Sequence, residues 1–261
     1  MTDPSVPSWV GVATSVVLVG FALAVVLRER LGLGRDVVVA AVRAAVQLVA
    51  VAAVLGVLFD RAGLPGGIAW VAGMCAVGTV VAGRRGRGLV RPFLTAAVAI
   101  SAGVVATLGL LVVARVVEAE ARIVVPVGGM VVSASVRGVT VVLVRIREEV
   151  ERSRREVEAR LALGLTSSEA FAPHARSALR TALVTDIDAV ASVGLISLPG
   201  AMTGLLLAGV EPLTAIRYQV VVMYMLLGAV AVSGLVASRL ATRLLFDDAH
   251  RLRPVPLASS P

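Results

Sequence analysis

The chain has 261 residues, of which 58% are hydrophobic, and its mean hydropathy is +0.93. A water-soluble domain cannot bury that much apolar surface, so the composition indicates a polytopic membrane protein. The net charge of +8 does not point to nucleic acid, because only 3% of the residues are aromatic and the basic residues lie between apolar runs.

Several kinds of chemistry are excluded by residue usage. All 25 basic residues are arginine, and without lysine there is neither a Walker A phosphate loop nor a Schiff base. The histidines, His174 and His250, have no metal-binding spacing, and the single cysteine, Cys75, is best interpreted as a buried thiol. We therefore expect no catalysis by this chain and no cofactor bound to it.

Seven apolar runs are long enough to cross a bilayer as helices, for which about 20 residues are needed. In chain order they are Trp9–Leu27, Val37–Phe59, Gly66–Gly83, Phe93–Ala114, Ile123–Val144, Ala189–Val210 and Val220–Ser238. The predicted fold class is an all-α membrane helix bundle that forms one domain over residues 1–261.

The arginines of the connecting segments predict the orientation of the bundle. Nineteen of them lie in alternate connections and the C-terminal tail, against four in the opposite set. By the positive-inside rule the N-terminus is then outside and the C-terminus cytosolic.

The segment 145–182 is too charged to cross the membrane. Apolar residues recur in it at helical spacing, Gly164 is suited to end a first helix, and Thr166 with Glu169 has the spacing of a capping box. The capping box would open a short second helix that Pro173 ends or kinks. The segment is either a solvated connector or a docking element for a cytosolic partner.

The stretch "EARLALGLTSSEAF" favours docking, because it resembles the EAA loop of ABC-transporter permeases. That loop has a Glu-Ala start and a glycine six residues after the Glu, which here are Glu158, Ala159 and Gly164. The resemblance implies that this turn inserts into a groove of a separate ATP-binding subunit.

A longer resemblance covers most of the chain. "VGLISLPGAMTGLLLAG", "EPLTAIRYQVVVMYMLLGA", "VRAAVQL" and "PVGGM" resemble the signature of the FetB-type permeases. That group comprises bacterial iron exporters and plant aluminium-tolerance half-transporters. The resemblance implies a homodimeric permease in the bacterial cytoplasmic membrane, working with a subunit that binds ATP.

One departure from the family pattern concerns the substrate. After the Gly-Met step the family usually carries Gly-Asn, whereas this chain has Ser133-Ala134, with Arg137 three residues further on. The resemblance therefore does not fix iron as the substrate.

Polar residues inside the predicted spans are candidates for the substrate pathway. Arg43 and Gln47 are four residues apart and share one helix face. We expect Arg43 or Arg137 to pair with Asp186 or Asp188 in a polar inner vestibule, the alternative being that both arginines snorkel to the headgroups.

The sixth predicted span contains Pro199-Gly200 at its middle, flanked by Ser197, Met202 and Thr203. Such a break is tolerated only where the freed backbone groups are buried in protein or face a water-filled cavity. It is either a passive kink or a discontinuous helix that contacts cargo. The candidate pathway is completed by Met130, Ser133, Asp188 and Gln219.

These observations predict the membrane subunit of an ATP-driven exporter for iron, another metal or a metal-linked solute. The bilayer, an ATP-binding cassette subunit and a second copy are the expected partners, and nucleic acid is not. A secondary transporter or channel without an ATPase would need buried ionisable coupling residues, which are scarce. A scaffold without transport is the remaining alternative.

Overall fold

A computed structural model describes residues 9–247 and 249–253. These residues form the helices α1 (Trp9–Arg28), α2 (Gly34–Arg61), α3 (Gly63–Arg85), α4 (Pro92–Val113), α5 (Ala121–Ala162), α6 (Ser167–Ser192), α7 (Gly200–Leu207) and α8 (Pro212–Leu245). Six of the described helices, all except α6 and α7, are long and apolar enough to cross a membrane. The protein is thus a multi-pass helical membrane protein, as its composition predicts.

The chain divides into two compact units, Met1–Ala62 and Gly63–Pro261. The first unit is the hairpin of α1 and α2, in which Leu27 and Gly34 approach each other across the turn. The turn contains Gly32 at φ +71°, a left-handed conformation that glycine adopts without steric cost. The predicted single domain over 1–261 remains a prediction.

The helices of the second unit alternate in direction. Gly138 of α5 lies against Val230 of α8, and four residues later on each helix Val142 lies against Gly234, so α5 and α8 are parallel. The pairing of α6 with α8 runs the other way, because Ser238 bonds to Ala175 while Gly234 contacts Leu179. This alternation is what successive membrane crossings require.

Small residues allow these helices to approach closely. An added Cβ at Gly103 of α4 would lie 2.8 Å from Oγ of Ser135 on α5, and one at Gly128 would lie 2.6 Å from a methyl carbon of Val71 on α3. Close backbone approach of this kind is how membrane helices gain packing energy where lipid is as apolar as the helix surface. Helix α5 therefore has α3, α4, α6 and α8 as neighbours.

Most predicted spans correspond to helices within a few residues. The fifth and seventh predictions, however, are parts of the longer helices α5 and α8, which extend beyond the apolar runs. Pro173 also does not end the second helix of the charged segment, since α6 continues through it to Ser192.

The sixth predicted span, Ala189–Val210, is wrong as a continuous helix. The described chain there consists of the end of α6, a non-helical stretch at 193–199, and the eight-residue α7. Since α5 and α8 are parallel, the chain between them must return across the bundle. That crossing is made by α6, the break and α7 together.

Candidate substrate pathway and coupling surface

Helix α6 ends earlier than the proline-glycine pair suggests. Its last residue is Ser192, Val193 is extended at ψ 136°, and Gly194 follows at φ +84°. A non-glycine residue in that conformation is strained, so Gly194 fixes the point at which the helix stops. The amide of Gly194 donates to the carbonyl of Ser197 at 3.0 Å, which closes a tight turn.

Pro199 and Gly200 start a helix and do not interrupt one. Pro199 is the N-cap of α7, where its missing N–H is not needed, and Gly200 is the first residue of that helix. The hydroxyl of Thr203 donates to the carbonyl of Pro199 at 3.2 Å. The same carbonyl also accepts from the amide of Thr203 at 3.0 Å, so it is a regular helical acceptor of α7 and not a freed carbonyl.

A cavity of about 450 Å³ lies beside this break, and we call it the break cavity. It is lined by Val190, Val193, Gly194, Leu198, Met202, Ile216, Gln219, Val220, Met223 and Tyr224. Two predicted pathway residues, Met202 and Gln219, therefore share one cavity. The other predicted residues of this region form or flank the break but do not line the cavity; they are Ser197, Pro199, Gly200 and Thr203.

Gln219 is the polar group that distinguishes the break cavity. Its side chain belongs to a residue only 3% exposed, and its Oε1 is buried without a hydrogen-bond partner among the described residues. An unsatisfied buried acceptor costs about 1–3 kcal/mol, so such groups are expected where a ligand supplies the missing donor or cation. Gln219 thus has the property of a binding group.

A second cavity, of about 380 Å³, lies where α5 faces α8. It is lined by Pro126, Gly129, Met130, Ser133, Arg137 and Leu226. Within it the guanidinium of Arg137 donates to Oγ of Ser133 at 3.1 Å. The predicted residues Met130 and Ser133 are therefore brought together with Arg137.

Arg137 also meets α6. Its Nη2 lies 3.6 Å from Oδ1 of Asp186, so the predicted pairing of an inner arginine with this aspartate is present. Asp188 is exposed, and the described residues provide no ion-pair partner for it. Arg43 and Gln47 lie on α2 in the first unit, four residues apart on a continuous helix, and their role in a pathway stays a prediction.

The turn between α5 and α6 is exposed, and its role as a docking element stays a prediction. Gly164 adopts φ +90° with open space around it, and the neighbouring Leu163 is 81% exposed. Glu158 and Ala159 are exposed one turn earlier, where Glu158 accepts from Nε of Arg154 at 2.8 Å. We call residues 158–166 the coupling turn.

The start of α6 is fixed by the predicted capping box. The amide of Glu169 donates to the hydroxyl of Thr166 at 3.3 Å, and the amide of Thr166 donates to the Glu169 carboxylate at 3.0 Å. Hydrogen bonds from the side chain and then the backbone of Thr166 lower the pKa of Glu169 below its ordinary value. The coupling turn therefore ends on a defined helix start.

A buried contact that the sequence pattern did not reveal joins α5 to α6 behind this turn. Nδ1 of His174 lies 3.1 Å from Oε2 of Glu149, and both residues are 9% exposed. Glu149 also accepts from Arg152 at 2.6 Å, and Phe171 packs against the His174 ring. These partners are 25 residues apart in the chain, so only the folded hairpin brings them together.

Helix α6 connects the two candidate regions directly. It begins at the coupling turn and ends at the break cavity, a length of about 39 Å for its 26 residues. One continuous helix therefore links the turn to the cavity.

The described residues contain no group of three or more His, Cys, Asp or Glu that could hold a metal ion. The polar and soft side chains in the lining of the break cavity are those of Gln219, Tyr224, Met202 and Met223.

Comparison with known proteins gives relatives along nearly the whole chain. It is 39% identical to the UPF0014 membrane protein STAR2 of Oryza sativa subsp. japonica, over 95% of this chain and 86% of the relative. It is 31% identical to the Escherichia coli protein named "Probable iron export permease protein FetB", over 92% and 93% of the two chains.

A third relative is the Arabidopsis thaliana protein ALUMINUM SENSITIVE 3, 32% identical over 92% of this chain and 88% of the relative. No solved structure matches the chain. The profile of the uncharacterised protein family UPF0014 matches residues 9–246, which include every helix described above. The chain therefore belongs to the UPF0014 family of membrane proteins.

Proposed function

We propose that this protein is the membrane-spanning subunit of an ATP-driven exporter in the bacterial cytoplasmic membrane. The observation that carries the proposal is the connection made by α6, which has an exposed EAA-like turn at one end and a broken helix with a cavity at the other. A transporter driven by a separate ATPase needs both parts and a rigid link between them. The arginine-rich end of the bundle is then cytosolic.

The ATPase is a separate subunit in this proposal. The chain has no lysine for a nucleotide phosphate loop, so ATP is bound and hydrolysed by the partner. The coupling turn suits such a partner, because Leu163 and Glu158 project from a turn whose ends are fixed by Gly164 and by the capping box.

The proposed cargo is iron, another metal or a metal-linked solute. The name of the E. coli relative supports iron export. The break cavity supports a cargo that makes few, exchangeable contacts, because Gln219 and the two methionines offer neutral donors. A neutral site releases a cation more readily than a carboxylate cluster does.

A second permease copy completes the proposed transporter. None of the residues of α7 is buried within this chain, although α7 belongs to the crossing that contains the break. Backbone at a break must be covered by protein or by a water-filled cavity if it lies within the bilayer. A second copy packed on this side would provide that cover.

The test is ATP-dependent flux in vesicles that hold the permease and its ATPase subunit. Iron, other transition metals and small anions are compared, with an ATPase variant that binds but does not hydrolyse ATP as the control. Accumulation that requires hydrolysis supports the proposal. Transport by the permease alone would instead identify a secondary transporter or channel.

A further inference from the structure

A groove of about 900 Å³ runs between α6 and α8 at the arginine-rich end of the second unit. Its lining includes Leu179 and Leu235 and, further toward that end, Arg176, Arg239 and Arg243. We call this space the α6–α8 groove. It lies on the opposite half of α6 from the break cavity, so it is separate from the candidate substrate pathway.

The antiparallel pairing of the two helices places these residues in layers. Leu179 contacts the position of Gly234, so Leu179 and Leu235 lie at one level. Ser238 bonds to Ala175 one turn away, which puts Arg176 and Arg239 at the next level. Arg243 follows one helical turn later on α8. The groove is therefore apolar at the level of Leu179 and Leu235 and cationic at the next two levels, and its lining continues to Phe246, Asp247 and His250.

Among the described residues, the three groove arginines have no ion-pair partner. No carboxylate of the described residues lies within ion-pair distance of any of them, whereas Arg154 and Arg160 on α5 each have a glutamate partner. The carboxylate in the groove lining, Asp247, is engaged by Arg251 at 2.9 Å and by two backbone amides. Hydrogen bonds led by the Arg251 amide lower the pKa of Asp247 below its ordinary value.

The hydroxyl of Thr242, a partly buried residue, is a further polar group in the groove lining. Thr242 is in the groove lining between Arg239 and Arg243, and its Oγ1 is buried with no hydrogen-bond partner among the described residues. A phosphate oxygen would satisfy this hydroxyl and the arginines together, since guanidinium groups bind phosphate in a bidentate geometry.

We propose that the α6–α8 groove binds an anionic phospholipid of the leaflet at the arginine-rich end. The phosphate would contact the arginines and Thr242, and an acyl chain would lie along Leu179 and Leu235. A free phosphate compound would leave the apolar half unused. An acidic protein segment is disfavoured because Leu235 lies within a helix apolar enough to span the membrane.

The test is retention of phosphatidylglycerol by the purified full-length permease in a neutral detergent, measured by native mass spectrometry. We expect saturable binding of phosphatidylglycerol and weaker binding of phosphatidylcholine. Each arginine near anionic lipid contributes roughly a fivefold factor in affinity, so Arg239→Gln/Arg243→Gln should weaken phosphatidylglycerol binding about 25-fold.

The matched control is Arg84→Gln/Arg85→Gln, which removes two exposed arginines from the last turn of α3 at the same end of the bundle. It should leave phosphatidylglycerol binding unchanged. Equal loss in both double variants would mean diffuse surface charge and would overturn the proposal. Leu235→Trp keeps every charge but obstructs the apolar half, so it should also weaken binding; unchanged binding would contradict the acyl-chain position.

Two further outcomes would overturn the proposal. Displacement of phosphatidylglycerol by millimolar glycerol phosphate or inorganic phosphate would mean that the site takes a soluble anion. Normal lipid retention by Arg239→Gln/Arg243→Gln, together with lost co-purification of the ATPase subunit, would mean that the groove is a protein docking surface.

Discussion

The guanidinium of Arg137 on α5 lies 3.6 Å from the carboxylate of Asp186 on α6, and the same guanidinium donates to Ser133. This contact joins the cavity between α5 and α8 to the helix that carries the coupling turn. The Arg137 side chain is 56% exposed and that of Asp186 is 17% exposed, so the pair lies at the edge of a space open to solvent or to a partner.

Breaking this pair should affect transport more than stability. An exposed ion pair contributes about 0–1 kcal/mol, so Arg137→Gln should change the unfolding midpoint little. We expect flux to fall because the link between α5 and α6 is lost, and Arg137→Asp/Asp186→Arg to recover part of it. Arg180→Gln, a neighbouring exposed arginine on α6 without an ion-pair partner in the described chain, is the control. Equal flux in Arg137→Gln and Arg180→Gln would contradict a role for the pair.

Replacing Gln219 should separate stability from function. Gln219→Leu replaces a side chain that has an unsatisfied buried acceptor with an apolar side chain of similar size. The free energy of unfolding should therefore rise by about 1 kcal/mol. Flux should fall about tenfold if the amide oxygen makes one hydrogen bond or ion contact to cargo in the rate-limiting step.

Ser135→Ala is the matched control for Gln219→Leu. The Ser135 hydroxyl is also buried without a partner among the described residues, but it lies against α4 and is not part of the break cavity lining. It should stabilise the protein without loss of flux. A stabilised Gln219→Leu protein with full flux would mean that Gln219 is not a binding group.

Charge reversal at the coupling turn should uncouple the ATPase. Glu158→Arg removes an exposed ion pair with Arg154 worth a few tenths of a kcal/mol, and it alters the surface offered to the partner. We expect normal membrane insertion, lost co-purification of the ATPase and lost flux. Glu148→Arg breaks the equally exposed pair with Arg145 on the same helix. It should leave the co-purification of the ATPase and the flux unchanged. Identical behaviour of the two variants would favour a solvated connector.

The break should be required for transport, and Gly194 should be its critical residue. Gly194→Ala/Pro199→Ala penalises the left-handed turn by about 1–2 kcal/mol and removes the block to continuous helix. Flux should then be lost while ATPase docking persists. Gly209→Ala carries the same conformational penalty at φ +80° in the turn before α8, and it should retain flux. Full flux in a stable Gly194→Ala/Pro199→Ala protein would mean that the break serves only helix packing.

The backbone amides at the start of α6 should lose their protection against hydrogen exchange at acid pH. Because the pKa of Glu169 is lowered by Thr166, the capping contribution is complete above the ordinary glutamate pKa and is lost as pH falls through the lowered value. Hydrogen exchange at Glu169 and Ala170, corrected for intrinsic rates, should therefore be constant from neutral pH to about pH 5 and then rise. In the Thr166→Ala variant the corrected exchange rate at these two amides should be fast at every pH. A rate that still changed with pH in this variant would contradict the assignment to the capping box.

Hydropathy predicted the long helices because a run of about 20 apolar residues has few alternatives in a membrane. It misplaced the end of a helix where a charged segment follows an apolar one without a helix-breaking residue between them. Val144 and Arg145 are such a junction, and α5 continues through both residues. The Pro199-Gly200 pair marked the correct region, yet α6 already ends at Ser192, because Gly194 adopts a left-handed backbone in a turn closed by Ser197.

Apart from the predicted Arg137–Asp186 pair, the candidate sites were predictable only as far as chain-local patterns reach. The capping box and the coupling turn lie within a dozen residues; the first follows from spacing, and the second was identified by its resemblance to the EAA loop. The contact of Glu149 with His174, and the groove formed by Arg176 and Arg239, depend on how antiparallel helices are aligned. That alignment is set by packing of small residues such as Gly234, which no single-helix pattern encodes.

Helix α5 continues for 42 residues with Pro126 near its first turns, so it extends about 54 Å from that proline to Ala162. Proline removes one backbone hydrogen bond and is a natural pivot in a helix. A tilt of about 5° there would sweep the far end of the helix through about 5 Å, because the displacement grows with the lever arm. A small change of angle at the cavity lined by Pro126 would thereby become a displacement of several ångströms at Ala162, and a displacement of Ala162 would tilt the helix at that cavity.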